Sequence, residues 1–189
     1  MRFAHPDCPI TGILYSDSSA FETFLREATT AMAARGLRLA GLVQHSEAKP
    51  GRLKCDMHLE DLATGKRYGI SDDRGPHARG CVLNPDQLAR ACQSVEETLS
   101  GRTDLLVLSK FGKTEAEGGG FRGLLARALE LSVPVLIGIP LVNLSSFREF
   151  ADGLVREIEL VDLMSDRLTA VERLLHNRPP GREGRLELA

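Results

Sequence analysis

Tryptophan is absent from this chain and aromatic residues are only 5% of it, so its core must rest on Leu, Val, Ile and Ala. Cysteine is sparse. Cys8, Cys55, Cys81 and Cys92 are scattered with no C-x-x-C pair, which excludes a disulfide-dense secreted scaffold and a zinc ribbon. There is no basic excess: the formal charge is -2, and a nucleic-acid partner would be expected to show as a positive imbalance. No long hydrophobic run occurs. The longest, Val133 to Val142, is broken by Gly138 and Pro140 and falls short of the roughly 20 residues a membrane span needs. The start, MRFAHPDCP, has no apolar segment of the kind a signal peptide carries, so the expected compartment is the cytoplasm, with no membrane insertion. The G-x-S-x-G and H-E-x-x-H patterns are missing as well.

What is present is ordinary globular material, 42% hydrophobic and 26% charged over 189 residues, enough for one domain. The pattern predicts that domain over 1–176, followed by a polar tail, 177–189, with too few apolar residues to pack. Ile10 to Tyr15 reads as a buried strand. Ser16-Asp17-Ser18-Ser19 supplies helix-capping residues, and Phe21, Phe24, Leu25, Ala28 and Met32 recur at helical spacing until Gly36. Leu37 to Gln44 reads as a second strand. A polar turn over 46–52 leads into the alternating Cys55 to Leu62 and, through Thr64-Gly65, into Lys66 to Ile70, which predicts a β-hairpin insertion. A loop over 71–80, a helix opened by Asn84-Pro85, a strand from Asp104 to Leu108 and a Gly-rich loop from Ser109 to Gly120 follow. Helix 121–131, strand 133–139, helix 144–153, strand 155–161 and a last helix 162–176 complete an α/β class with a mostly parallel sheet flanked by helices.

Two stretches, ILYSDSSAFETFL and LLVLSKFGKTEAEGGGFR, with LAGLVQ and the hairpin DLATGKRYGI between them, stand in an order that resembles the THEP-type nucleoside triphosphatases, a P-loop family. The segments Lys110-Phe111-Gly112-Lys113 with Glu115 and Glu117, Cys55-Asp56-Met57 and Arg79-Gly80-Cys81 carry a closer resemblance, to a bacterial family of unknown function related to those enzymes. Members of that family are often encoded beside molybdate transport components. The resemblance spans roughly Ile10 to Ile139 and implies a degraded P-loop-like fold.

A phosphate loop needs glycines so that backbone N–H groups wrap the phosphates, a lysine, and a Ser or Thr for Mg²⁺. The equivalent loop here, Tyr15 to Phe21, has no glycine and no lysine and carries Asp17. The strand that ends in Asp-Glu in the enzymes ends here in Ser109-Lys110. These replacements argue against nucleotide hydrolysis, and no catalytic residue is assigned. What remains points to a ligand pocket at the strand ends, built from Ser16, Ser18, Ser19, Ser109, Lys110, Lys113 and Glu117, with Arg79 arriving from the 71–80 loop.

The reading is a non-catalytic binding protein for a small oxyanion. Molybdate or tungstate is the ligand the resemblance implies, with self-association or molybdenum-handling proteins as partners. Two alternatives stand beside it: a nucleotide-responsive or scaffold protein without turnover, and a residual nucleoside phosphatase using Glu115 or Glu117. Cys55 and Cys81 are the metal-ligand candidates. Cys55 and His58, three apart on a strand, point to opposite faces and form no half-site without a bulge.

Overall fold

The computed structural model describes residues 9–48, 55–72 and 82–175. Strand β1 (Ile10–Tyr15) is buried along its whole length, as a parallel strand covered on both faces must be. It leads into helix α1 (Ser18–Ala34) and strand β2 (Leu39–Ala48). Strands β3 (Cys55–Asp61) and β4 (Arg67–Gly69) form the expected hairpin and pair antiparallel beside β2. Two short strands, β5 (Ser71–Asp72) and β6 (Val82–Leu83), pair with each other ahead of helix α2 (Pro85–Thr98). Strand β7 (Leu105–Leu108), helices α3 (Lys113–Ala116) and α4 (Arg122–Glu130), strand β8 (Val135–Pro140), helix α5 (Leu144–Ala151), strand β9 (Val155–Glu159) and helices α6 (Leu160–Ser165) and α7 (Arg167–Leu175) follow. The seven-stranded sheet has the order β4-β3-β2-β7-β8-β1-β9, and its last five strands are parallel.

Alternation along the strands feeds two cores. Ile13, Tyr15, Val43, Val107, Leu136 and Ile158 face α1, α6 and α7. Leu14, Leu42, Leu106, Leu108, Ile137 and Ile139 face α2, α4 and α5. The connection leaving β1 therefore runs over one face and the connection leaving the adjacent β8 over the other. Between the carboxyl ends of two such strands an open α/β sheet leaves a crevice.

Three expectations are corrected. Strand β2 runs on to Ala48 instead of turning at Ser46, because antiparallel pairing with β3 (His45 opposite His58, Ser46 opposite Met57) gives its polar residues a ladder. The loop after Ser109 contains α3, a turn of helix held by Glu115. The last helix is two helices. Asp166, at φ -137° and ψ 79°, leaves the helical region and accepts hydrogen bonds from the Thr169 hydroxyl (2.6 Å) and N–H (3.3 Å), which starts α7 afresh. The 177–189 segment lies outside the described residues.

Candidate functional site at the carboxyl edge of the sheet

The loop after β1 is organised by Asp17. One oxygen of its carboxylate accepts the N–H groups of Ser19 (2.9 Å) and Ala20 (3.0 Å), the standard way to start a helix. These are backbone donors that an external anion would otherwise use at a helix N-terminus. The chain has supplied its own negative charge there, and Ser16, Ser18 and Ser19 beside it are all exposed.

The loop between β1 and α1 is only Ser16 and Asp17, too short to hold the pattern G-x-x-x-x-G-K-[ST]. Phe21 is buried to 2% exposure and stacked on Tyr15, with ring centroids 4.1 Å apart and planes 1° from parallel. Its ring lies over β8 at Gly138. Burial pushes the Tyr15 phenol above its ordinary pKa, and the neighbouring charge of Glu22 adds to the shift. Glu22 turns toward β2, where its carboxylate accepts from the Gln44 amide and the Ser46 hydroxyl, both at 2.9 Å.

The second loop begins at the end of β7. The Ser109 N–H donates to the Leu42 carbonyl and the Phe111 N–H to the Gly138 carbonyl, so the backbone crosses the strand ends tied to β2 on one side and to β8 on the other. Phe111 is fully buried against Phe147 and Phe150, and the Asn143 side chain donates to its carbonyl at 3.0 Å. Lys110 is held between these two anchored residues. Its ammonium has no hydrogen bond or ion pair among the described residues, while Lys113 pairs with Glu117 at 3.6 Å on the exposed surface. Ser109 is 4% exposed, and its hydroxyl is a buried polar atom with no hydrogen-bond partner among the described residues. Such an orphan is uncommon in folded proteins and costs free energy unless something else occupies it.

Glu115 is not at the disposal of chemistry. Its carboxylate is 4% exposed and accepts the Gly112 N–H (2.7 Å) through one oxygen and the Phe121 N–H (3.0 Å) through the other. The Arg122 guanidinium donates to its carbonyl at 2.6 Å and sits over the Phe150 ring. Glu115 thus staples the Gly-rich loop shut, and Glu117 is left as half of a surface ion pair.

The structure brings Ser109 and Lys110 to the same edge as the Ser16–Ser19 loop, separated from it by the width of β8. Arg79, Cys81 and the Cys55 side chain lie outside the described residues, and among those described no three His, Cys, Asp or Glu side chains stand together as metal ligands. Cys92 packs half-buried against the core, where burial and then the charges of Glu115 and Glu96 push its thiol up to about 12. Sequence reasoning missed the Glu22–Gln44–Ser46 cluster and the role of Phe21. The one available signal was Gln44, a lone polar residue ending an apolar run.

Fold and site define an open, mostly parallel α/β protein that carries the Ser16–Ser19 loop, Ser109 and Lys110 at the carboxyl edge of its sheet. The chain belongs to the family described as "Protein of unknown function (DUF2478)", whose family model matches residues 10–166. It is also similar to "Molybdenum import ATP-binding protein ModC 2" of Bradyrhizobium diazoefficiens, 30% identical over 145 residues, which are 77% of this chain and 16% of that protein. No solved structure matches the chain. Among the described residues no helix is long and apolar enough to cross a membrane.

Proposed function

We propose that this chain is a non-hydrolytic binding protein of P-loop-like fold that takes a small oxyanion, molybdate or tungstate, at the carboxyl edge of its sheet and serves molybdenum handling in the cytoplasm. The observation that carries the reading is Ser109: a buried hydroxyl with no hydrogen-bond partner among the described residues, one position before Lys110, whose ammonium has none among them either. A tetrahedral oxyanion bound at this strand end would need donors of this kind, and Lys113 lies three residues further along the same loop. With Asp17 occupying amides at the start of α1, the anion is held by side chains of the second loop, with the serines of the first at its margin. The molybdenum context rests on the likeness to the import protein and on the neighbourhood the family resemblance implies.

Hydrolysis is disfavoured on charge. The loop after β1 carries Asp17 and no lysine, and Ser109-Lys110 puts an ammonium where a metal-binding carboxylate would be needed. Isothermal calorimetry with molybdate, tungstate, sulfate and phosphate tests the proposal. Heat with molybdate or tungstate that disappears in Lys110→Ala supports it; no heat with any of the four ends it. A second reading, an interaction module, is favoured by Val142 and Val161, 90% and 68% exposed just after β8 and β9 on either side of the β1 loop. Thermal shifts with ATP or GTP, with and without Mg²⁺, separate both from a nucleotide-responsive protein.

A further inference from the structure

β4 is the outermost strand of the seven-stranded sheet among the described residues. A groove of about 660 Å³ runs beside it, walled by residues 66–69 of the hairpin and, across from them, by Gln87, Arg90, Ser94 and Glu97 on one face of α2. The walls are tied together beneath the surface. The Ser94 hydroxyl donates at 2.7 Å to Asp61, a fully buried carboxylate that also accepts the Ala63 N–H at 3.0 Å and so fixes the hairpin turn. A groove braced this way loses little conformational freedom on binding.

The register of the hairpin shows which backbone groups the groove is offered. The Ile70 N–H donates to the Met57 carbonyl and the Asp61 N–H to the Lys66 carbonyl, so residues 66, 68 and 70 turn their polar groups toward β3. By antiparallel alternation, the N–H and C=O groups of Arg67 and Gly69 point outward, along the groove. An edge with both donors and acceptors on offer is a template for an added strand. A small free anion would satisfy the N–H groups and be repelled by the carbonyls; an extended chain satisfies both. The charge around this edge is positive. Lys66 lies over the Tyr68 ring, Arg90 has no hydrogen bond or ion pair among the described residues, and Arg67 shares Glu60 on the other side of the strand, against Glu97 alone in the groove.

We propose that this edge binds an extended acidic segment of a partner protein, added as a strand along β4 with its carboxylates on Lys66 and Arg90. Fluorescence anisotropy with a labelled octapeptide alternating Glu and Val tests it on the full chain. Saturable binding is expected, weakened at least tenfold in the Lys66→Glu/Arg90→Glu double variant and not seen with the octapeptide alternating Lys and Val. Gly69→Pro removes one outward N–H without touching the β3 ladder, and it too should weaken binding. Should that variant fail to fold by circular dichroism, the surface double variant still decides. The assignment is overturned if the acidic peptide does not bind, if the double variant binds it equally well, or if a copy of it N-methylated at alternate residues binds as tightly as the parent. It is also overturned if light scattering shows a dimer that the double variant converts to monomer, since a second copy then occupies the edge.

Discussion

The ring of Phe21 occupies the space that a side chain on Gly138 would need: a Cβ built at Gly138 comes 2.3 Å from the ring and 2.5 Å from the Ser109 carbonyl oxygen. The glycine lets α1 press an aromatic residue onto β8. Gly138→Ala should therefore destabilise the fold by about 1–3 kcal/mol through overpacking. Urea unfolding measures it. The penalty should shrink in a Phe21→Leu background, because the two residues share one space.

Glu115 gives a second prediction. Removing its carboxylate strands the Gly112 and Phe121 N–H groups, each donor costing about 1–3 kcal/mol when buried without an acceptor. Glu115→Ala should be much more destabilising than Glu117→Ala, whose partner Lys113 is solvent-exposed. Comparing urea midpoints of the two variants checks the order. A Gly120→Ala substitution should behave like Glu115→Ala, since Gly120 has φ +59° and a Cβ there would land 1.8 Å from a Glu115 oxygen.

Much of the frame was legible in the sequence because its signals are local. Leu105–Leu108 is a pure apolar run and is a central strand; Asn84-Pro85 opens α2, with the Asn84 side chain accepting the Gln87 N–H at 2.9 Å. What escaped depends on distant partners. Nothing near Ser46 says that Met57 will stand opposite it. Phe21 reads as one more apolar residue on a helical stripe, and only the fold shows that its ring lies over Gly138 at the end of the crevice. Glu115 and Glu117 look alike in KTEAE, yet one is buried between two amides and the other is in solvent. The position of Ser109 and Lys110 just beyond a strand was legible from the apolar run that precedes them. The missing partner of Ser109 was not, because satisfaction of a hydrogen bond is a property of the surroundings.

Asp104 sets a pH dependence. Hydrogen bonds from the Arg38 guanidinium hold its pKa down at about 2, against an ordinary value of 3.8, and their two side chains meet at 2.8 Å. A carboxylate depressed on folding contributes stability that is present above its unfolded pKa and is lost as pH falls through the folded one. The stability difference between the wild type and Asp104→Asn should therefore be constant from neutral pH to about 4 and close between about 4 and 2. Thermal melts of both proteins across that range check it. A difference that closes near pH 6 instead would assign the effect to another group.

Cys92 should be a slow thiol. With its pKa pushed up to about 12, the thiolate fraction at a given neutral pH is roughly three orders of magnitude below that of an ordinary cysteine. A variant keeping Cys92 as its sole cysteine should react with iodoacetamide at native conditions far more slowly than the same chain in urea. Equal rates in the two conditions would contradict the burial that raises the pKa.

Ser109 separates function from stability most cleanly. A buried hydroxyl without a partner costs free energy in the ligand-free protein, so Ser109→Ala, which deletes the hydroxyl and leaves its small methylene packed, should leave that protein as stable as the wild type or more stable by about 1 kcal/mol. If the hydroxyl is kept for an anion, the same substitution should weaken molybdate or tungstate binding at least tenfold. A stabilised variant with impaired binding is the pattern of a group retained for a ligand at a cost to the fold. A destabilised variant would mean that Ser109 has a structural partner in solution, such as a bound water, and that its burial serves the strand end alone. A stabilised variant with unchanged binding would move the anion away from β7 and onto the lysines, whose hold Lys110→Ala and Lys113→Ala would then measure separately.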